Sequence, residues 1–228
     1  MVVLNKKRAF SPITHNCANF TMTTRTKINQ WLLEGEGPLL DFKQNITSAP
    51  KIARAIVAFA NSRGGTFLVG VGDKGHIIGV DAGGEMYELE KAASKYCTPP
   101  VALEFEEFEI NGKTLLIVQV AESNQKPHYA IDKNGDKQIF VRIGDKCVIP
   151  PPLITNTLLN GDLNGLKRSN HYQQRKKELQ QYLKQNKTIS CAQYAKLWHT
   201  SERSALRTLL DFMFEGAIQL QEENLFTL

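Results

Sequence analysis

The run Ala58–Val71 (AFANSRGGTFLVGV) constrains the fold more than any other stretch of this chain. An apolar helix must end there and turn at once into a nearly all-apolar central strand. Gly64 and Gly65 supply the backbone freedom and close approach that no bulkier pair could give at such a joint. Upstream, Ser48 is a good N-cap and Pro50 suits a first turn, so the helix carries Ile52, Ala53, Ile56, Val57 and Ala60 on one side. Asn61 either caps the end of this helix or faces a bound backbone, and capping is the preferred reading. The strand runs from Thr66 to Gly72 and is expected to pair as a hairpin with a second strand through Ile77, Ile78 and Val80.

The remaining elements follow from periodicity and punctuation. Ile28, Trp31, Leu32 and Leu33 predict a short amphipathic helix over Thr24–Glu34, ended by Gly35 and Gly37, and Leu39–Phe42 reads as a strand. Glu85–Tyr96 reads as a helix, stopped by Pro99 and Pro100 before an alternating strand from Val101 to Ile110. Asn111 and Gly112 form a hairpin turn into Leu115–Val120, and Asn134 and Gly135 a further turn before Gln138–Val141. Helices scattered among mostly hairpin-connected strands favour an α+β fold with a mixed, mostly antiparallel sheet over a doubly wound parallel one.

At 228 residues the chain has room for two small domains. Pro150, Pro151 and Pro152 are expected to close the first at residue 159, and the polar stretch 160–169 reads as a linker. Residues 170–228 hold a helix with Leu179, Tyr182 and Leu183 inward, a short helix over Ala192–Trp198, and a third over Ser201–Glu215. Thr200 is expected to cap the third and Gly216 to close it. A hairpin over Ala217–Leu228 follows, turning at Glu222, Glu223 and Asn224. Helix, helix, helix, hairpin is the winged helix-turn-helix plan.

Residues 1–22 lack periodicity. They read as a disordered leader, with Met22 a candidate initiator. Lys6, Lys7 and Arg8 are not followed by a continuous apolar stretch, which argues against a secretory signal. Apolar runs such as Thr114–Val120 fall far short of the roughly 18 residues of a spanning helix. Cys17, Cys97, Cys147 and Cys191 have no CxxC spacing and read as reduced thiols, so a cytoplasmic protein without membrane contact is expected.

The segment Glu36–Gly144 resembles the Schlafen-type AlbA-like domain. The resemblance is carried by Glu36–Lys43 (EGPLLDFK), Ala58–Val71, Asp73, Gly79, the Lys126 and Pro127 pair, and Val141–Gly144 (VRIG), in the family's order. It implies DNA binding, and in bacterial members with a winged helix, transcriptional regulation. In the Schlafen endoribonucleases three carboxylates are thought to hold a divalent metal. The resemblance places that role, as catalytic and metal-ligating residues, on Glu36, Asp41 and Asp73, with Asp41 standing where Glu is usual. Mg²⁺ or Mn²⁺ on such hard oxygen ligands could cleave a phosphodiester. The family nucleases build their cleft from two lobes, so activity here would need a homodimer. The local alternatives are that Asp73 serves a turn and Asp41 an exposed edge strand. Gly70–Gly75 spells GxGxxG, but a strand-like segment follows, so no dinucleotide site is read. No Walker A motif is present.

The chain's charge is +5, and its basic residues concentrate between Lys167 and Arg207, where ten cations face only Glu178 and Glu202. Ser201, Glu202, Arg203, Ser204 and Arg207 are candidates for the outward face of a recognition helix, and Arg203, Ser204 and Arg207 are expected to contact DNA. Lys43, Arg63 and Arg142 would give a second contact surface. DNA is the favoured partner and RNA an alternative. A metal-dependent nuclease, or a dimerisation or protein-interaction module, are the competing functions. The five histidines are dispersed and carry no assigned task.

Overall fold

The computed structural model describes residues 23–164, 171–222 and 225–228. The leader expected at 1–22 and residues 165–169 of the expected linker lie outside the described residues. Helix α1 (Thr24–Glu34) starts at Thr23, whose hydroxyl accepts the Thr26 N–H, and ends on Gly35 at φ +77°. Strand β1 (Leu40–Lys43), helix α2 (Ala49–Asn61) and strand β2 (Gly65–Val69) form a crossover that lays β1 parallel to β2, with Asp41 opposite Phe67. Next come α3 (Ala82–Lys95), the short β3 (Cys97–Thr98), and the hairpin β4 (Leu103–Ile110) and β5 (Lys113–Val120), turning at Asn111 and Gly112. β5 returns antiparallel to β2, so the main sheet has the order β1-β2-β5-β4.

Alternation explains why β2 and β5 are apolar nearly throughout. Phe67, Val69, Leu116, Val118 and Val120 face α2 and α3, whereas Leu68, Leu115 and Ile117 face the side that holds Ile28 of α1. A sheet covered on both faces needs both parities apolar.

Smaller strands complete the first unit. β6 (Tyr129–Ile131) lies between β3 and β7 (Lys137–Gln138), and β8 (Val141–Ile143) pairs with β9 (Lys146–Val148). Helix α4 (Pro152–Leu159) comes next. The three prolines predicted only a boundary, yet Pro152 opens a helix, since proline's fixed φ suits a first turn.

The hairpin expected from Thr66–Gly72 and Ile77–Val80 does not form. β2 stops at Val69, and only an isolated bridge joins Val71 to Ile77. Gly70, at φ +98°, lets the chain leave the sheet, and its carbonyl accepts the N–H groups of both Ile78 and Gly79.

The C-terminal unit comprises α5 (Tyr172–Asn186), β10 (Thr188–Ser190), α6 (Cys191–Leu197), α7 (Glu202–Phe214), β11 (Gln219–Glu222) and β12 (Leu225–Thr227). The sequence reading missed β10, which pairs with β12 to give a three-stranded sheet of order β10-β12-β11. It also placed the cap of α7 one residue early. Ser201, not Thr200, accepts the Ser204 N–H, and Gly216 (φ +77°) follows the helix as expected.

The apolar core of this unit does not stop at the expected linker. Ile139 and Val141 of the first unit, and Ile154 and Leu158 of α4, pack in one cluster with Leu179, Leu209, Leu210 and Phe226. Of α7, the whole stretch from Leu209 to Phe214 is buried. Among the described residues no helix is long and apolar enough to cross a membrane.

Candidate nucleic-acid interface

The α2–β2 joint brings together the segments that the sequence analysis singled out. Gly64 lies at φ +71°, and a Cβ there would sit 2.7 Å from both the Glu122 N and the Val120 O. Between the helix end and this glycine stand Asn61, Ser62 and Arg63. Asn61 is fully buried and neither caps α2 nor faces a ligand. Its Nδ2 donates to the carbonyls of His128 (2.8 Å) and Phe140 (2.9 Å), and its Oδ1 accepts the His128 N–H. Ser62 accepts the Arg142 N–H at its hydroxyl and the Lys126 Nζ at its carbonyl. His128 is held at Nδ1 by the Pro99 carbonyl and at Nε2 by the Ser123 hydroxyl. Burial lowers its pKa below the ordinary histidine value; the Pro99 contact opposes that and nearby Lys126 adds to it.

Arg142 is the largest fully buried side chain. Its Nη1 pairs with Asp41 Oδ1 at 2.9 Å, its Nη2 donates to the carbonyls of Gly37 and Leu40, and its guanidinium stacks 4.8 Å from the Phe59 ring centroid. Asp41 pairs through its other oxygen with Lys43. Arg142 therefore has no surface to offer a phosphate, and the expectation that it contacts nucleic acid is corrected by this burial. Lys43 pairs with the same Asp41 but keeps about a third of its side chain exposed.

The carboxylate expectation is corrected too. Asp41 holds two cations instead of a metal. Glu36 accepts the Phe42 N–H at 2.7 Å, so it serves as a cap for the β1 backbone. Asp73 stands exposed in the turn after β2. A divalent cation would have to displace a guanidinium that is also fixed by two carbonyls. Among the described residues no group of three or more His, Cys, Asp or Glu side chains could hold a metal ion. The three residues do not fit the implied metal.

Arg63 also turns inward, toward the C-terminal unit. Its Nε lies 3.5 Å from Asp211 Oδ1 and its Nη1 3.2 Å from Glu215 Oε1, with the guanidinium 5.5 Å from the Tyr172 ring centroid. Glu215 is further bound by Lys176 at 3.1 Å and by the Tyr172 hydroxyl at 3.2 Å. Burial alone would raise the Glu215 carboxyl, but Arg63 and Lys176 outweigh it and leave the pKa below the usual carboxylate value. The expected DNA contact at Arg63 is thus a cross-link between the two units.

On α7 the expected interface residues divide. Ser201, Glu202, Arg203 and Ser204 are exposed, and Arg203 donates from Nε and Nη2 to Asp162 Oδ1 at 2.7 and 2.5 Å. Arg207 is half-buried, and its Nε is buried with no hydrogen-bond partner among the described residues.

The Schlafen, AlbA_2 family model matches residues 36–151, half of the chain and the whole of this motif network. The chain belongs to the Schlafen, AlbA_2 family. No curated protein matches the sequence. Several solved structures are similar, two of them as follows. One is the DIP2311 protein from Corynebacterium diphtheriae, 19% identical with a TM-score of 0.42 over 57% of this chain; the match spans only 30% of that protein's chain. The other is the N-terminal domain of a RecG-related protein from Nitrosomonas europaea, 24% identical with a TM-score of 0.40, covering 49% of this chain and 83% of that one.

In this AlbA_2 domain the motif residues Asp41, Asn61, Ser62, Lys126 and Arg142 form one interlocked framework. Sequence reasoning missed that they meet, because each partner lies 60 or more positions from Arg142 or Asn61 in most of these bonds. The C-terminal unit exposes Lys177, Lys184, Lys187, Lys196 and Arg203, and the first unit exposes cations outside this framework, among them Arg25, Lys27, Lys51, Arg54, Lys74 and Lys95. Between the β8–β9 turn, the start of α4 and β11 there is a cavity of about 630 Å³, lined by Ile143, Pro152, Leu153, Met213, Ile218 and Leu220 among others.

Proposed function

We propose that this protein binds DNA through its C-terminal unit, used as a winged helix, and that it is a transcriptional regulator of bacterial type. The observation that carries the reading is the order α5, β10, α6, α7, β11, β12 with sheet order β10-β12-β11. In a winged helix the third helix, here α7, enters the major groove by its N-terminal residues. Ser201, Arg203 and Ser204 stand exposed at that end of the helix.

Charge supports the same assignment. From residue 23 to 164 the chain has 17 acidic and 15 basic side chains, and from 165 to 228 six acidic and ten basic. The family cations Lys43, Arg63, Lys126 and Arg142 all hold carboxylates. The edge strand β4 exposes Glu104, Glu106, Glu107 and Glu109, which phosphates would repel. Of the two stretches only the later one has a net positive charge, which favours the C-terminal unit as the side that attracts a polyanion, and a homodimer on two half-sites is the expected assembly.

The test is fluorescence anisotropy of labelled duplex DNA and structured RNA against the full chain over a range of salt, with and without Mn²⁺. Duplex binding should weaken steeply with salt, need no metal and leave the nucleic acid intact. Arg203→Ala should weaken it, and removing one protein–phosphate ion pair should make the slope of log K against log salt shallower by about 0.9. Salt-insensitive binding, or cleavage that requires Mn²⁺, would overturn the proposal.

A further inference from the structure

We infer that the AlbA_2 domain restrains α7 from both ends, with Asp162 standing in for a DNA phosphate at Arg203. The inference rests on the reading of α7 as the DNA contact and adds its regulation.

Arg203 meets Asp162 with the Nε/Nη2 edge of its guanidinium, both nitrogens on a single carboxylate oxygen. That is one of the edges an arginine offers to phosphate oxygens, and while Asp162 occupies it a phosphate cannot take the same Nε/Nη2 donors. Asp162 is the fixed partner of the two. Its side chain is 20% exposed against 68% for Arg203. Its backbone N–H donates to the Thr157 carbonyl, and the turn that carries it is fastened to the AlbA_2 domain two residues on. There Asn164 accepts the Lys126 N–H at 2.8 Å and donates to the Lys126 carbonyl at 3.3 Å. Lys126 in turn reaches the Ser62 carbonyl at the α2–β2 joint.

The other end of α7 is held from that same joint. Arg63, one residue beyond Ser62, pairs with Asp211 and Glu215. Since Leu209–Phe214 is buried throughout, α7 cannot rotate or slide without breaking these ion pairs and unpacking the seam. Two family motifs, the Asn61–Gly65 turn and the Lys126 loop, therefore bear on one helix, and DNA must displace Asp162 to take the Nε/Nη2 edge of Arg203.

An exposed ion pair is worth at most about 1 kcal/mol, so the restraint should cost DNA affinity up to about fivefold. Duplex affinity of the full chain is measured for the parent, Asp162→Asn, Arg203→Ala and the double variant. Asp162→Asn should bind up to about fivefold more tightly, Arg203→Ala more weakly, and the gain from Asp162→Asn should vanish when Arg203 is absent. The same gain in both backgrounds would mean that removing any negative charge suffices, and would overturn the restraint while leaving α7 as the reader. An Arg203→Ala variant with parental affinity would overturn the reading of α7 and the restraint with it. A readout free of DNA is the ¹⁵N NMR signal of the Arg203 Nε–H, which should exchange slowly in the parent and fast in Asp162→Asn; fast exchange in both would also overturn the restraint.

Discussion

Arg142 shows how much one residue's meaning depends on what lies opposite it. In the sequence it is a cation in a VRIG motif; in the fold it is a buried strut across β1 and β8, neutralised by Asp41 and bonded to two carbonyls. Removing one member of a buried ion pair leaves the other uncompensated, at a cost of about 3 kcal/mol or more. Asp41→Ala is therefore expected to lower the unfolding free energy measured by urea titration by that amount, with Asp41→Asn in between. Had Asp41 been a metal ligand in an open cleft, the same change would leave stability intact or raise it. Lys43, Arg142 and Asp41 were legible as functional types but not as partners of one another, because charge in a sequence carries no direction.

Among elements, the α2–β2 joint was the most legible, since a helix, two glycines and an apolar run admit few geometries. The structure adds the steric reason. A side chain at position 64 would meet the backbone of Val120 and Glu122, at a residue already in the left-handed region. Gly64→Ala should destabilise the protein by more than about 1 kcal/mol in a denaturant titration. The positions of the helices other than α4, and the β4–β5 hairpin, were readable from period and turn residues. β10 was not, because three residues carry too little alternation to register. The α6 capping box, in which Ser190 and Gln193 bond each other's backbone N–H, was present in the sequence as S-x-x-Q and went unused. The 70–80 segment differs: its apolar residues resemble strands, and Gly70, which lets the chain leave the sheet, lies inside the strand expected over Thr66–Gly72.

At the scale of the molecule, the seam between the two units decides how they behave. Apolar side chains of β8, α4, α5 and α7 share one cluster, and Arg63 adds a polar cross-link beside it. Arg63→Ala should raise hydrogen–deuterium exchange across Leu209–Phe214 and leave β2 and β5 protected; equal exchange in variant and parent would mean that the apolar packing alone holds α7. The expected linker could not reveal this, because a polar connector says nothing of what its flanks bury. The division of charge, slightly acidic from residue 23 to 164 and basic beyond it, has a consequence of its own. It gives the molecule a permanent electric dipole, and in the field of a polyanion a dipole feels a torque. If the C-terminal unit is the DNA contact proposed above, that torque, felt within a Debye length of about 10 Å at 0.1 M salt, would favour encounters made by that unit.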